Sequence, residues 1–88
     1  MRNRIVLFSK QDCAPCTQVK AWLVSNSIRV LHIDPHDQPE LARMLNVRSV
    51  PTTVVVQMDD DENRSVPLFR VVGFKPEELE TLKQYQHE

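Results

Sequence analysis

An α/β fold with a central four-stranded mixed sheet flanked by helices is what this sequence predicts, and three observations predict it. Short apolar runs of strand length stand at Ile5 to Phe8 and at Thr52 to Val56. Between and after them the apolar spacing changes to a helical period, most clearly from Ala14 to Asn26. The two kinds of segment alternate in the order β-α-β-α-β-β-α over 88 residues, the pattern of a sheet covered by helices. At that length the chain is too short for two independent cores, so residues 1–88 are expected to form a single domain.

Each element has a local reason. Ile5-Val6-Leu7-Phe8 is apolar without a break, which suits a strand buried on both faces. In the first helix Cys16, Val19 and Leu23 share a face with Trp22 beside them, and Asn26-Ser27 are stop residues. Arg29 to Asp34 alternates, with Val30, His32 and Asp34 on one side and Leu31 and Ile33 on the other; Pro35 closes this second strand. Asp37 ahead of Gln38-Pro39-Glu40 marks a capped helix start, and Leu41, Met44 and Leu45 give that helix its apolar stripe. Pro51 bars a helix, and Thr52-Thr53-Val54-Val55-Val56 is the strongest strand signal in the chain.

Met58 to Ser65 reads as a loop, with the acidic Asp59 to Glu62 at a solvated hairpin tip; it lacks the spaced ligands and central glycine of a calcium loop. Val66 to Val72 is the fourth strand, with Pro67 suited to an edge, and Gly73 breaks it. Pro76-Glu77-Glu78 opens a last helix carrying Leu79 and Leu82, with Tyr85 a turn further, and Lys83 to Glu88 is expected to fray. The first three strands, separated from one another by helices, are expected to be parallel through right-handed crossovers, and the last two to form an antiparallel hairpin.

Composition removes whole classes of function. A hydrophobic content of 41% with 26% charged residues belongs to a soluble globular chain. A net charge of −1 leaves no basic footprint for nucleic acid. The single glycine, Gly73, excludes a glycine-rich phosphate cradle. Met1-Arg2-Asn3-Arg4 is positive, but the four apolar residues behind it are too few for a signal-peptide core, and no stretch approaches the ~20 apolar residues of a membrane span. A cytoplasmic, monomeric protein with no membrane or nucleic-acid partner is expected.

The chemistry concentrates at Cys13-Ala14-Pro15-Cys16, directly after the first strand and opening the first helix. Unpaired backbone N–H groups and the positive end of the helix dipole favour a thiolate on Cys13. A thiolate attacks disulfides; Cys16, one turn later on the inward side, is placed to resolve the mixed disulfide. Pro15 has no N–H to lose in the first turn and stiffens the segment between the sulfurs. Lys10 adds positive charge nearby and Asp12 opposes it. Cys13, Cys16, His32 and His36 also match a Cys2His2 zinc spacing. The expected elements argue against it: Pro35 lies between the histidines, His32 belongs to a strand, and the cysteines open a helix. No metal site is expected. Trp22 reads as core or a half-buried helix face.

C-x-x-C after the first strand, together with Ser49-Val50-Pro51-Thr52 before the third, resembles the thioredoxin superfamily over essentially the whole chain. The resemblance implies a thioredoxin-like fold, a cis peptide bond before Pro51 beside the cysteines, and a Val50 backbone that hydrogen-bonds an extended peptide. It also implies that the redox-active group is a Cys13–Cys16 disulfide, with no bound cofactor. Length and Phe8-Ser9-Lys10 look like glutaredoxins, which hold glutathione with a lysine at the Lys10 position and a Gly-Gly motif near the last helix. Here the second glycine is absent. Gly73-Phe74-Lys75-Pro76-Glu77 instead looks like the corresponding segment of NrdH-redoxins, glutaredoxin-sized proteins reduced by thioredoxin reductase that reduce ribonucleotide reductase. Ala14-Pro15 departs from that group toward thioredoxin's Gly-Pro. Thioredoxin itself fits less well, because no tryptophan precedes Cys13 and Leu7 stands where thioredoxins carry a buried aspartate.

The expected function is therefore a dithiol-disulfide oxidoreductase in which Cys13 attacks and Cys16 resolves. Lys10, Ala14, Pro15, Val50 and Pro51 would shape the substrate groove, and Gly73, Phe74 and Lys75 would meet partners, with Lys75 able to pair with Glu78. The resemblance implies ribonucleotide reductase as substrate and thioredoxin reductase as electron source. Two alternatives stand beside it: a glutathione-dependent glutaredoxin using Lys10 and the Val50 backbone, and a non-catalytic binding module of the same fold.

Overall fold

The computed structural model describes residues 2–59 and 64–86, the side chains of residues 59, 64 and 65 excluded. Its elements run β1 (Arg2–Phe8), α1 (Ala14–Ser25), β2 (Leu31–Ile33), α2 (Pro39–Met44), β3 (Thr52–Asp59), β4 (Arg64–Val72) and α3 (Pro76–Leu79), the last continuing as a 3-10 helix over Glu80–Tyr85. The sheet is mixed, in the order β2-β1-β3-β4.

The unbroken apolar run of β1 is explained by burial on both faces. Ile5 and Leu7 join Val55, Val71, the α1 residues Val19 and Leu23, and the C-terminal Leu79 and Leu82 in one core cluster. Val6 and Phe8 face the other way, with Ile33, Val54, Val56 and the α2 side chains Ala42 and Leu45. α1 and the C-terminal helix thus cover one face and α2 the other, and β1 and β3 carry no polar face among their central residues.

The expectation of three parallel strands is corrected. β1 and β2 are parallel, from Val6 opposite Leu31 to Phe8 opposite Ile33, but β3 runs antiparallel to β1, from Arg2 opposite Met58 to Phe8 opposite Thr52. The short reach of α2 within the connection goes with this direction. A helix of six residues advances the chain only about 9 Å, whereas β1 with seven residues spans about 23 Å. The chain returns to the end of the sheet that it left and enters β3 running back.

Other elements shift in smaller ways. β2 is three residues rather than six, and Leu31 and His32 are exposed with Ile33 buried, as an edge strand permits. Asp37 does not cap α2: the N-cap is Gln38, without a side-chain cap bond. Asp34 organises that turn instead, its Oδ1 accepting from the His36 N–H at 2.8 Å and its carbonyl from Asp37 and Gln38. In the stretch expected as a loop from Met58 to Ser65, residues 58, 59, 64 and 65 are strand, since β3 and β4 pair as far as Asp59 opposite Arg64; residues 60–63, with the acidic tip, lie outside the described residues. Pro67 sits on the edge strand at a bulge, where Val55 opposes Phe69 and Val56 opposes Pro67, so it breaks no interior ladder.

The C-terminal segment does not fray at Lys83. It tightens to a 3-10 helix through Tyr85, and with three residues per turn Leu79, Leu82 and Tyr85 align over the sheet. Tyr85 stacks on Phe69 at 6.1 Å, Lys83 pairs with Glu80 at 2.9 Å, and its ammonium lies 5.8 Å from the Trp22 ring centre.

Candidate functional site

The site lies at the sheet end where β1 and β2 finish and β3 begins. Beyond Phe8, the Ser9 N–H donates to the Ile33 carbonyl at 2.9 Å and prolongs the parallel pairing by one residue. The chain then turns sharply at Asp12, whose φ of 57° lies in the left-handed region that aspartate tolerates better than most side chains. That turn delivers Cys13 to the N-cap of α1.

Cys13 is extended (φ −131°, ψ 104°), and its sulfur accepts the Cys16 N–H at 3.2 Å. The Thr17 N–H donates to the Cys13 carbonyl at 3.1 Å and closes the first helical turn. No acidic residue stands in that turn, so the helix dipole and the bonded N–H both favour negative charge on sulfur. Cys13 and Cys16 form a disulfide with Cα atoms 5.2 Å apart. The two differ in access: Cys13 is half-buried at the surface, whereas Cys16 is 1% exposed. The outer sulfur is therefore the one open to an incoming disulfide, with the inner one behind it.

The second wall of the site is the approach to β3. The Val50-Pro51 peptide bond is cis. Its surroundings are tied to both neighbouring segments, with Thr52 Oγ1 donating to the Ser49 carbonyl at 2.7 Å and the Gly73 N–H to the Pro51 carbonyl at 2.8 Å. Gly73 has a φ of 85°, the conformation that suits glycine as the chain leaves β4.

A groove of about 850 Å³ joins three segments: Lys10, Asp12, Cys13, Ala14 and Pro15; Asp34, Pro35 and His36; and Val47, Arg48, Ser49 and Val50. Five of the residues singled out from sequence therefore meet in one place, namely Lys10, Cys13, Ala14, Pro15 and Val50. Cys16 and Pro51 are buried at the same end of the sheet. Gly73, Phe74 and Lys75 do not line the groove. Phe74 is half-buried against the core cluster under α1, and Lys75 reaches toward Glu78 at 4.0 Å.

Sequence reasoning missed the 34–36 turn and Arg48. The signal was present in the topology: strands that run parallel end on the same side, and with Phe8 opposite Ile33 the residues that follow each must be neighbours. Arg48 and Lys10 bring positive charge to a groove that also holds Asp12 and Asp34.

The glutaredoxin family model matches residues 5–60 of this chain. The SPbeta prophage-derived thioredoxin-like protein YosR of Bacillus subtilis is 34% identical over 80 residues, spanning 90% of this chain and 92% of that protein. The glutaredoxin-like protein NrdH of Lactococcus lactis subsp. cremoris is 30% identical over 78 residues, spanning 89% and 97%. Among solved structures, the germline-specific thioredoxin Deadhead of Drosophila melanogaster superposes with a TM-score of 0.74 at 25% identity, over 94% of this chain and 79% of that one.

Proposed function

The chain belongs to the glutaredoxin family and is a thiol-disulfide oxidoreductase, and within that class we propose that it works as an NrdH-type redoxin: a single-domain, cytoplasmic monomer that passes electrons from thioredoxin reductase to ribonucleotide reductase. The reaction begins with the Cys13 thiolate attacking a disulfide of the target. One target sulfur leaves as thiolate and the other stays bonded to Cys13. Cys16 then attacks Cys13, the second target sulfur leaves, and the protein is left with its disulfide. In this reading Val50 and Pro51 seat an extended target segment in the groove, with Lys10, Ala14 and Pro15 along its other side.

The observation that carries the choice of subclass is the segment after β4. Glutathione recognition in the resembling family uses a second glycine there, whereas this chain has Phe74, packed against the core, followed by Lys75 at 4.0 Å from Glu78. The similarity to the Lactococcus protein supports the same reading. The test is donation. Pre-reduced protein, freed of small thiols, is expected to sustain deoxyribonucleotide formation by ribonucleotide reductase in proportion to the dithiol supplied. Absence of product while insulin disulfides are still reduced would reject this partner.

A further inference from the structure

Cys16 has to become a nucleophile in surroundings that disfavour its charge. It lies on the face of α1 that continues through Val19 and Leu23. That face packs on Ile5, Leu7, Val55 and Val71 of the sheet, none of which offers a side-chain hydrogen-bond donor. A thiolate buried among apolar groups is destabilised unless a donor meets it.

One polar group interrupts this surface. Thr53 is 0% exposed, and its Oγ1 has no hydrogen-bond partner among the described residues. Its neighbour Thr52 is equally buried but satisfied by the Ser49 carbonyl, so the orphaned hydroxyl is specific to position 53. Thr53 stands opposite Leu7 of β1 and Val71 of β4. Directly opposed residues share a face, and Leu7 and Val71 belong to the cluster that holds α1. The pairing is one step from the Phe8–Thr52 pair at the sheet end, the end from which the chain turns into the first turn of α1, where Cys16 sits. A buried hydroxyl without a partner costs stability and returns nothing within the resting fold.

We infer that the Thr53 hydroxyl is the hydrogen-bond donor that steadies the Cys16 thiolate during resolution. In the disulfide form the Cys16 sulfur is uncharged and the hydroxyl stays unpaired. After Cys13 has captured one half of a target disulfide, Cys16 loses its proton to solvent or to the departing thiolate. Its sulfur, held by the Thr53 O–H, then attacks Cys13 Sγ and expels the second target thiolate. The two protein thiols are oxidised and the target disulfide is reduced by the same two electrons. The charged groups of the site lie elsewhere: Lys10, Asp12, Asp34, His36 and Arg48 border the groove, and Lys20 is one turn further along α1, half-buried. The inference rests on the thiol-disulfide chemistry of this dithiol and not on the choice of partner protein.

Stopped-flow reaction of the reduced protein with 5,5′-dithiobis(2-nitrobenzoate) separates the steps, because the first thionitrobenzoate comes from attack by Cys13 and the second from resolution by Cys16. Thr53→Val keeps the side-chain shape and removes the hydroxyl. It is expected to leave the first phase unchanged and to slow the second about tenfold at neutral pH, the effect of losing a hydrogen bond to a charged group. The midpoint of the second phase should move to higher pH, and Thr53→Ser should restore it. The melting temperature of Thr53→Val should equal or exceed that of the parent, since no bond in the resting fold is lost. A second phase unchanged from the parent in both Thr53→Val and Thr53→Ala across the pH range would overturn the inference, as would equal slowing of both phases. Failure of the parent protein to release a second equivalent would instead overturn the dithiol mechanism itself.

Discussion

In the mechanism proposed above, Cys13 is both the N-cap of α1 and the group that reacts. Its sulfur fills the place usually taken by the oxygen of an N-cap serine, threonine or aspartate, so the geometry that starts the helix also orients the nucleophile. Cys16 shows the complementary arrangement, being 1% exposed and bonded to Cys13. This division of labour predicts unequal outcomes for two similar substitutions. Cys16→Ser should accumulate a covalent complex with disulfide substrates that a reductant releases, visible as a mass increase on intact-protein mass spectrometry. Cys13→Ser should accumulate none and lose turnover. Comparable complexes from both variants would contradict the assignment.

The elements around these residues are held by their ends. Both longer helices close with the same motif: after α1, Ser27 donates to Val24 and Ile28 to Leu23, and after α2, Asn46 donates to Arg43 and Val47 to Ala42. Each motif puts a non-glycine residue in the left-handed region, Ser27 at φ 56° and Asn46 at 58°. α2 is secured further by Arg70 of β4, which donates to the carbonyls of Leu45 and Asn46. Serine in that conformation carries a penalty of roughly 1 kcal/mol that glycine avoids. Ser27→Gly should therefore raise unfolding free energy by about that amount in urea titration, and a loss of stability would show that the serine side chain has a role in the turn.

The same elements show what a sequence discloses and what it does not. The continuous apolar runs of β1 and β3 and the Cys16, Val19, Leu23 stripe identify their elements directly, because burial on two faces or one imposes those patterns. The C-x-x-C segment and the residues leading into Pro51 were legible for the same reason, their local chemistry being strongly constrained. Strand direction was not, since it depends on the path of the connection through α2. The groove residues Asp34, His36 and Arg48 were hidden for that reason too, being brought in by topology rather than by any local pattern. Thr53 reads in the sequence simply as part of a β-rich run, and only the lack of a partner for its hydroxyl among the described residues sets it apart.

At the scale of the whole molecule, the sheet separates a structural half from a reactive end. Two apolar clusters lie on its opposite faces, its edges are a three-residue strand and a strand interrupted by Pro67, and the dithiol, the 34–36 turn and the Val50 segment gather at one end. Among the described residues no helix is long and apolar enough to cross a membrane. Phe74 packs against the core beyond β4, and the groove along the dithiol is bordered by other segments. The central claim is that such a dithiol is recharged by a protein reductase rather than by glutathione. The most direct measurement is NADPH consumption by the oxidised protein in two parallel assays, one with thioredoxin reductase and one with glutathione and glutathione reductase. Turnover confined to thioredoxin reductase is the predicted result; turnover confined to the glutathione assay would contradict it.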